Sequence, residues 1–229
     1  LHTPWELANV QLASLCQKLG IPYVITAHGM LDDWCMNQKS LKKKIFLSLF
    51  ARKIFGHASV VHFTAEAERD QALKYVPAGG GAAIQACAMD LAPYDHLPGK
   101  QPALDAFPQI DPELRSILFL SRIHPKKGIE ILLQAGAELK SRDLPIQILI
   151  AGPGEAAYVD ELKSLANRLG LASETHFLGM VRGETKLSLY QLADVFVLAT
   201  YQENFGLVLP EAMASGAAVV TTRGTDIWR

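Results

Sequence analysis

Short apolar runs alternate with segments of helical period along this chain. Near its start, PYVITAHG (22–29) is a β-rich run ending in glycine. SVVHFTA (59–65) is a second such run, followed by the helical pattern of EAERDQALKYV (66–76), and AAIQACA (82–88) supplies a third strand candidate. The stretch 96–113, HLPGKQPALDAFPQIDPE, breaks this rhythm with four prolines and reads as a linker. Beyond it the alternation becomes regular. SILFLS precedes GIEILLQAGAELKSR, IQILIAG precedes EAAYVDELKSLANRLG, and THFLG precedes ETKLSLYQLA; DVFVLAT and AAVVTT then flank ENFGLVLPEAMASG. Continuous apolar strands separated by amphipathic helices predict a parallel sheet covered on both faces and wound by right-handed crossovers. We therefore expect an α/β chain of two domains, 1–107 and 108–229, with the second a doubly wound Rossmann-like unit.

Ligands of such sheets lie beyond the carboxyl ends of the strands, so the polar residues just after each strand carry the chemistry. In SRIHPKKG (121–128), Arg122, Lys126 and Lys127 occupy a strand-to-helix loop. A guanidinium fork, a lysine and a helix start suit phosphate oxygens, and a solvated basic turn explains the same residues equally well. In IAGPGE (150–155) a G-x-G lets the backbone approach a ligand, which makes Gly154 a candidate. The third glycine of a dinucleotide fingerprint is missing, however, and a plain turn suffices. In ENFGLVLPEAMASG (203–216), Glu203 falls in the loop, Gly206 at the turn and Leu207 at the helix start, because Pro210 is tolerated only in a first turn. Glu211 then follows one turn in. An acid there suits the helix dipole and needs no function, but Glu203 has no such explanation. Two acids sharing a crevice with cations and with the amides of residues 205–208 would suit a nucleoside-diphosphate sugar.

Composition narrows the classes. Hydrophobic residues make up 49% and charged residues 20%, with a net charge of −1, so bulk electrostatics gives no basis for a nucleic-acid binder. The three cysteines are too scattered for a disulfide framework or a zinc site and suit a reducing compartment. No apolar run approaches membrane-spanning length. The segment 39–56, KSLKKKIFLSLFARKIFG, reads as a core-facing helix with a solvated basic side. The alternative, peripheral contact with an anionic membrane, stays open. The first residue is Leu1 and the last, Arg229, follows a strand, so both ends read as cut.

These motifs together resemble family 4 of the retaining glycosyltransferases, whose GT-B fold pairs two Rossmann-like domains. Glu203 and Glu211 keep the family's E-x7-E spacing. Arg122 and Lys127 match its G-R-L-x-x-x-K-G stretch, with Ser121 in place of the first glycine. The run from THFLGMVRG to ENFG is similar throughout and includes Met180 and Val181 in the loop that touches the base. IPYVITAHGMLDDW (21–34) resembles the end of the acceptor-side domain, where a histidine reaches the donor, so that role falls on His28. VVHFTAEAE matches the next strand and turn, with Ala65 where serine is commoner, and IQACAMDL replaces the usual I-P-N-G. The resemblance implies a first domain incomplete at its start and a second lacking its final helices.

The resemblance further implies transfer of a sugar from a nucleoside diphosphate to a sugar or lipid-linked acceptor, with retention, in polysaccharide or glycoconjugate synthesis. It sets the reaction in the cytoplasm, with the inner face of the cell membrane left open as its place. Arg122, Lys127 and the amides following Asn204, among them those of Phe205, Gly206 and Leu207, would hold the diphosphate, and Asn204 itself lines the donor. Glu211 would hold the ribose, and Glu203 and His28 the donor sugar. No D-x-D pattern occurs, Asp32 and Asp33 being adjacent, so neither a metal nor a cofactor is expected. Two alternatives remain: a nucleotide-binding fragment without catalysis, and a sugar-nucleotide epimerase on the same architecture.

Overall fold

The computed structural model describes residues 1–38 and 40–228. Contacts divide them into two compact units, Leu1–Ala88 and Met89–Trp228, with the segment Glu203–Phe205 counted with the first. Each unit has its own apolar core.

The first unit contains α1 (Leu7–Leu19), β1 (Val24–Thr26), α2 (Asp33–Asn37) and α3 (Ser40–Phe46). A π turn, Leu47–Ala51, joins α3 to α4 (Arg52–Gly56), and β2 (Val60–Phe63), α5 (Glu66–Ala72) and β3 (Ala82–Ile84) complete the unit. The three strands form a parallel sheet in the order β1-β2-β3, with Val24 beside Val60 and Val61 beside Ala82. Ile25, Val61 and Phe63 are fully buried, and Leu47, Ala51, Ile54 and Phe55 belong to the same core.

The second unit contains α6 (Gln101–Ala106), β4 (Arg115–Leu120), α7 (Ile129–Ser141), β5 (Ile146–Ala151) and α8 (Ala156–Arg168). These are followed by β6 (Thr175–Gly179), α9 (Gly183–Leu192), β7 (Val195–Leu198), α10 (Val208–Ala214) and β8 (Ala218–Thr221). All five strands are parallel, in the order β6-β5-β4-β7-β8. The chain winds outward from β4 in one direction and returns to the other side at β7, so the topological switch lies between β4 and β7. Every residue of β5 is buried, five of them apolar and the sixth, Gln147, satisfied by hydrogen bonds.

The proline-rich stretch is not a bare linker. It contains α6, whose Ala103 amide donates to Ser188 Oγ on α9 at 2.9 Å, while the Gly99 amide donates to Gln191 Oε1 at 2.7 Å. Gln147, buried within β5, accepts from the Asp111 amide and donates to the Asp111 carbonyl and Ser116 Oγ. These bonds attach residues 89–113 to the second unit. The division therefore falls at 88/89, earlier than the 107/108 expected from the prolines.

Candidate active site

The loops after β4 and β7 meet at the switch point of the second unit. Gly128 takes φ 63°, and a Cβ there would stand 2.0 Å from the Ala199 carbonyl oxygen. Only glycine lets α7 start this close to the end of β7. The two loops are tied by the Lys126 carbonyl, which accepts from the Tyr201 amide and from Thr200 Oγ1, both at 2.9 Å. Tyr201 OH in turn donates to Glu130 Oε1 at 3.0 Å, and Tyr158 OH donates to Glu130 Oε2 at 3.1 Å.

Lys126 and Lys127 lie in a 3₁₀ turn, Pro125–Lys127, whose amides are taken up locally. His124 Nδ1 accepts from the Lys126 amide and the His124 carbonyl from the Lys127 amide. Lys127 is buried and Arg122 is exposed. Burial, then the charges of Arg122, Lys126 and Lys127, lower the pKa of His124. The three cations act less than burial does and Glu155 opposes them, but their gathering around one imidazole would suit a diphosphate.

On the β7 side, Gly206 turns the chain with φ 70° and Leu207 caps α10. The helix starts at Val208, one residue later than expected, with Pro210 in its first turn. Glu211 is half-buried and fixed by two groups of α9. Lys186 Nζ lies 3.0 Å from Oε1, and Tyr190 OH donates to Oε2 at 2.9 Å. Tyr190 is fully buried; burial and then the Glu211 carboxylate hold its phenol protonated far above the ordinary range. Burial and the same carboxylate raise the pKa of Tyr94. Lys186 and Tyr190 were not foreseen, because a helical period does not say which face of α9 meets which neighbour.

Gly154 stands beside Ile123 across an isolated parallel bridge, and a Cβ there would come within 2.7 Å of the Ile123 Cβ. Packing between the β4 and β5 loops thus requires this glycine. Met180 is exposed and Val181 buried immediately after β6.

His28, Glu203, Asn204 and Phe205 group with the first unit. His28 follows β1 in the left-handed region, φ 51°, a conformation costly for a residue with a Cβ. Buried Glu68 holds this turn. It accepts from the Gly29 amide at 2.7 Å, the Thr64 amide at 2.7 Å and Thr64 Oγ1 at 2.8 Å. Thr64 Oγ1 also lies 3.2 Å from Asn204 Oδ1. Glu68 is the third residue of α5, and its N-cap, Ala65, makes no side-chain cap. A glutamate three residues after a cap position was the available signal, obscured because the cap is alanine. His28 Nε2 lies 2.7 Å from His2 Nδ1, with the rings stacked. Burial, then His2, lower its pKa from 6.5, and Glu68 opposes them.

A parallel sheet with its switch point between a basic loop and a carboxylate-bearing helix start makes the second unit α/β and Rossmann-like, and the likeness to solved structures given below sets the fold in the GT-B type. The sequence profile of the glycosyl transferases group 1 matches residues 100–227, and the chain belongs to that family. It is 42% identical over 123 residues to a phosphatidyl-myo-inositol mannosyltransferase of Mycolicibacterium smegmatis, covering 53% of this chain and 30% of that protein. It is 28% identical over 211 residues to a D-inositol 3-phosphate glycosyltransferase of Rhodococcus opacus, covering 89% of this chain and 47% of that protein. The chain thus spans less than half the length of these relatives. Among solved structures, Anabaena HepE in complex with UDP superposes with a TM-score of 0.80 at 22% identity, over 98% of this chain and 60% of that one. The sucrose-phosphate synthase of Thermosynechococcus elongatus gives 0.80 at 22%, over 99% and 56%. At such identity these two speak to the fold.

Proposed function

We propose that the protein is a retaining glycosyltransferase that moves a sugar from a nucleoside diphosphate to an acceptor hydroxyl. The observation that carries this is the junction at the switch point, where a loop bearing Arg122, Lys126 and Lys127 is bonded through the Lys126 carbonyl to the loop that leads to Glu211. The family membership and the UDP held by a structure of the same fold support it.

The difficult event in such a transfer is departure of the diphosphate as its charge grows. Arg122, Lys127 and the amides of Gly206 and Leu207 would receive that charge, and a well-placed donor contributes roughly 3–4 kcal/mol to such a step. Glu211, held in one rotamer by Lys186 and Tyr190, retains acceptor capacity for ribose hydroxyls. On the resemblance, His28 and Glu203 take the donor sugar, and Gly154, Met180, Val181, Asn204 and Phe205 line the donor. Cations do the neutralising in this scheme, with neither metal nor cofactor. A base-free, front-face course, with the leaving phosphate taking the acceptor proton, is the mechanism we assign.

No helix among the described residues is long and apolar enough to cross a membrane. We assign the reaction to the cytoplasm, at the inner face of the cell membrane, with a sugar or lipid-linked acceptor in polysaccharide or glycoconjugate synthesis. The test is incubation with labelled nucleotide sugars and candidate acceptors, with the product's anomeric configuration read by NMR. A retained-configuration glycoside is expected, its rate of formation falling by roughly 10²–10³ in Lys127→Ala. An epimerised donor formed without acceptor would show an epimerase instead. Nucleotide binding without turnover would show a binding fragment.

A further inference from the structure

Glu68 is 3% exposed, and both of its carboxylate oxygens are committed. Oε1 accepts from the amide of Gly29, one residue past His28, and Oε2 accepts from the amide and the hydroxyl of Thr64. Thr64 is buried as well, and its hydroxyl faces a further oxygen, Asn204 Oδ1, at 3.2 Å. A hydroxyl has one proton to give. It goes to the carboxylate, which is the closer acceptor at 2.8 Å and the charged one, because a hydrogen bond to a charged acceptor is the stronger. Asn204 Oδ1 would then meet Thr64 Oγ1 with no proton between them, acceptor against acceptor.

The side-chain amide of Asn204 relieves this when it is turned over. Its oxygen and nitrogen ends have the same shape, and the hydrogen bonds around them decide which faces where. Turned over, Nδ2 donates to Thr64 Oγ1 and Oδ1 points away from it, free to accept. The side chain itself stays in place. A Cβ on Gly29 would come within 2.8 Å of Asn204 Cβ, so Asn204 packs directly on the glycine that follows His28. One buried carboxylate thus governs two groups of the candidate site, the turn that carries His28 and the polarity of Asn204.

We infer that Glu68 is a positioning residue for the donor sugar: through Thr64 it sets the Asn204 amide with its oxygen outward, as an acceptor for a sugar hydroxyl. The sugar contact rests on the transferase reading, and the orientation of the amide does not. NMR of the Asn204 side-chain NH2 group, assigned by its loss in Asn204→Ala, tests the orientation. Thr64→Val keeps the side chain's shape and removes only its hydroxyl, so the NH2 signal should shift and exchange with water roughly tenfold faster there. A signal indifferent to Thr64→Val would overturn the inference whatever the chain catalyses. Calorimetric titration with UDP-glucose, GDP-mannose and ADP-glucose, each beside its bare nucleotide, tests the sugar contact. The sugar nucleotide that binds should lose roughly tenfold in affinity in Thr64→Val, Glu68→Gln and Asn204→Asp, while the nucleotide alone loses nothing. Asn204→Asp puts an oxygen against Thr64 whichever way it turns, so full affinity in that variant would show that an oxygen already faces Thr64 and would overturn the inference. Equal loss of nucleotide and sugar nucleotide would overturn it too, by showing general distortion. A wild-type chain that binds none of these ligands would refute the transferase reading and the sugar contact with it, and the NH2 signal would still decide the orientation.

Discussion

Glu211 shows how much of a candidate site residue's behaviour is set by residues outside its motif. Each of its oxygens already accepts one hydrogen bond, from Lys186 or Tyr190, and keeps a second lone pair, so it is a fixed acceptor rather than a mobile acid. Removing the phenolic hydroxyl in Tyr190→Phe leaves the half-buried Glu211 Oε2 short of a donor. The expected loss is about 1 kcal/mol of stability, measured by urea denaturation, with nucleotide binding weakened as well. His28 gives a second prediction at this scale. With its pKa held below 6.5 by burial and by His2, it is neutral near pH 7. An imidazole whose folded pKa is depressed adds no pH dependence above the unfolded value near 6.5, and it costs stability as the unfolded chain takes up protons below that. NMR titration should place the His28 pKa below 6.5 and show it rising in His2→Ala, as a like charge is removed. A value above 6.5, or one indifferent to His2, would contradict this account. The E-x7-E spacing and the basic loop were legible in the sequence because they are local. Lys186, Tyr190 and Glu68 were not, because their roles depend on how a helix is rotated against its neighbours.

At the scale of elements, the strand-and-helix alternation identified every strand of the second unit, since buried parallel strands are continuous apolar runs. Their order was not readable, and the order is what makes β4 and β7 neighbours and brings their loops together. Glycines enforce that junction. Gly152 takes φ 137°, and a Cβ there would stand 1.9 Å from the Ser121 carbonyl oxygen. The G-x-G after β5 is thus accounted for by the close approach of two loops. Gly128→Ala or Gly152→Ala should each cost ~2 kcal/mol or more and displace the basic loop. Denaturation midpoints and nucleotide affinity should therefore fall together. An alanine variant with unchanged midpoint and affinity would show that the loops have room to spare. The proline-rich stretch misled because proline marks a break in pattern, not a break in packing: Pro102 sits in the first turn of α6, which docks on α9.

For the molecule as a whole, two separate cores predict unequal stability. The second unit has five strands and the larger core, the first a three-stranded sheet with a smaller one. Smaller cores are less stable, so amide exchange should be faster in β1, β2 and β3 than in β4 and β5. Uniform protection across both sheets would show that the units unfold as one. The fold class and the donor crevice together make the central claim, that the switch point of the second unit holds a nucleoside diphosphate. Calorimetric titration of the chain with UDP, GDP and ADP, beside Lys127→Ala and Glu211→Ala, tests it most directly. The account predicts saturable binding of one of the three, lost or weakened at least tenfold in both variants, about 1.4 kcal/mol each. Binding of none by a folded chain, or equal binding by the variants, would contradict it.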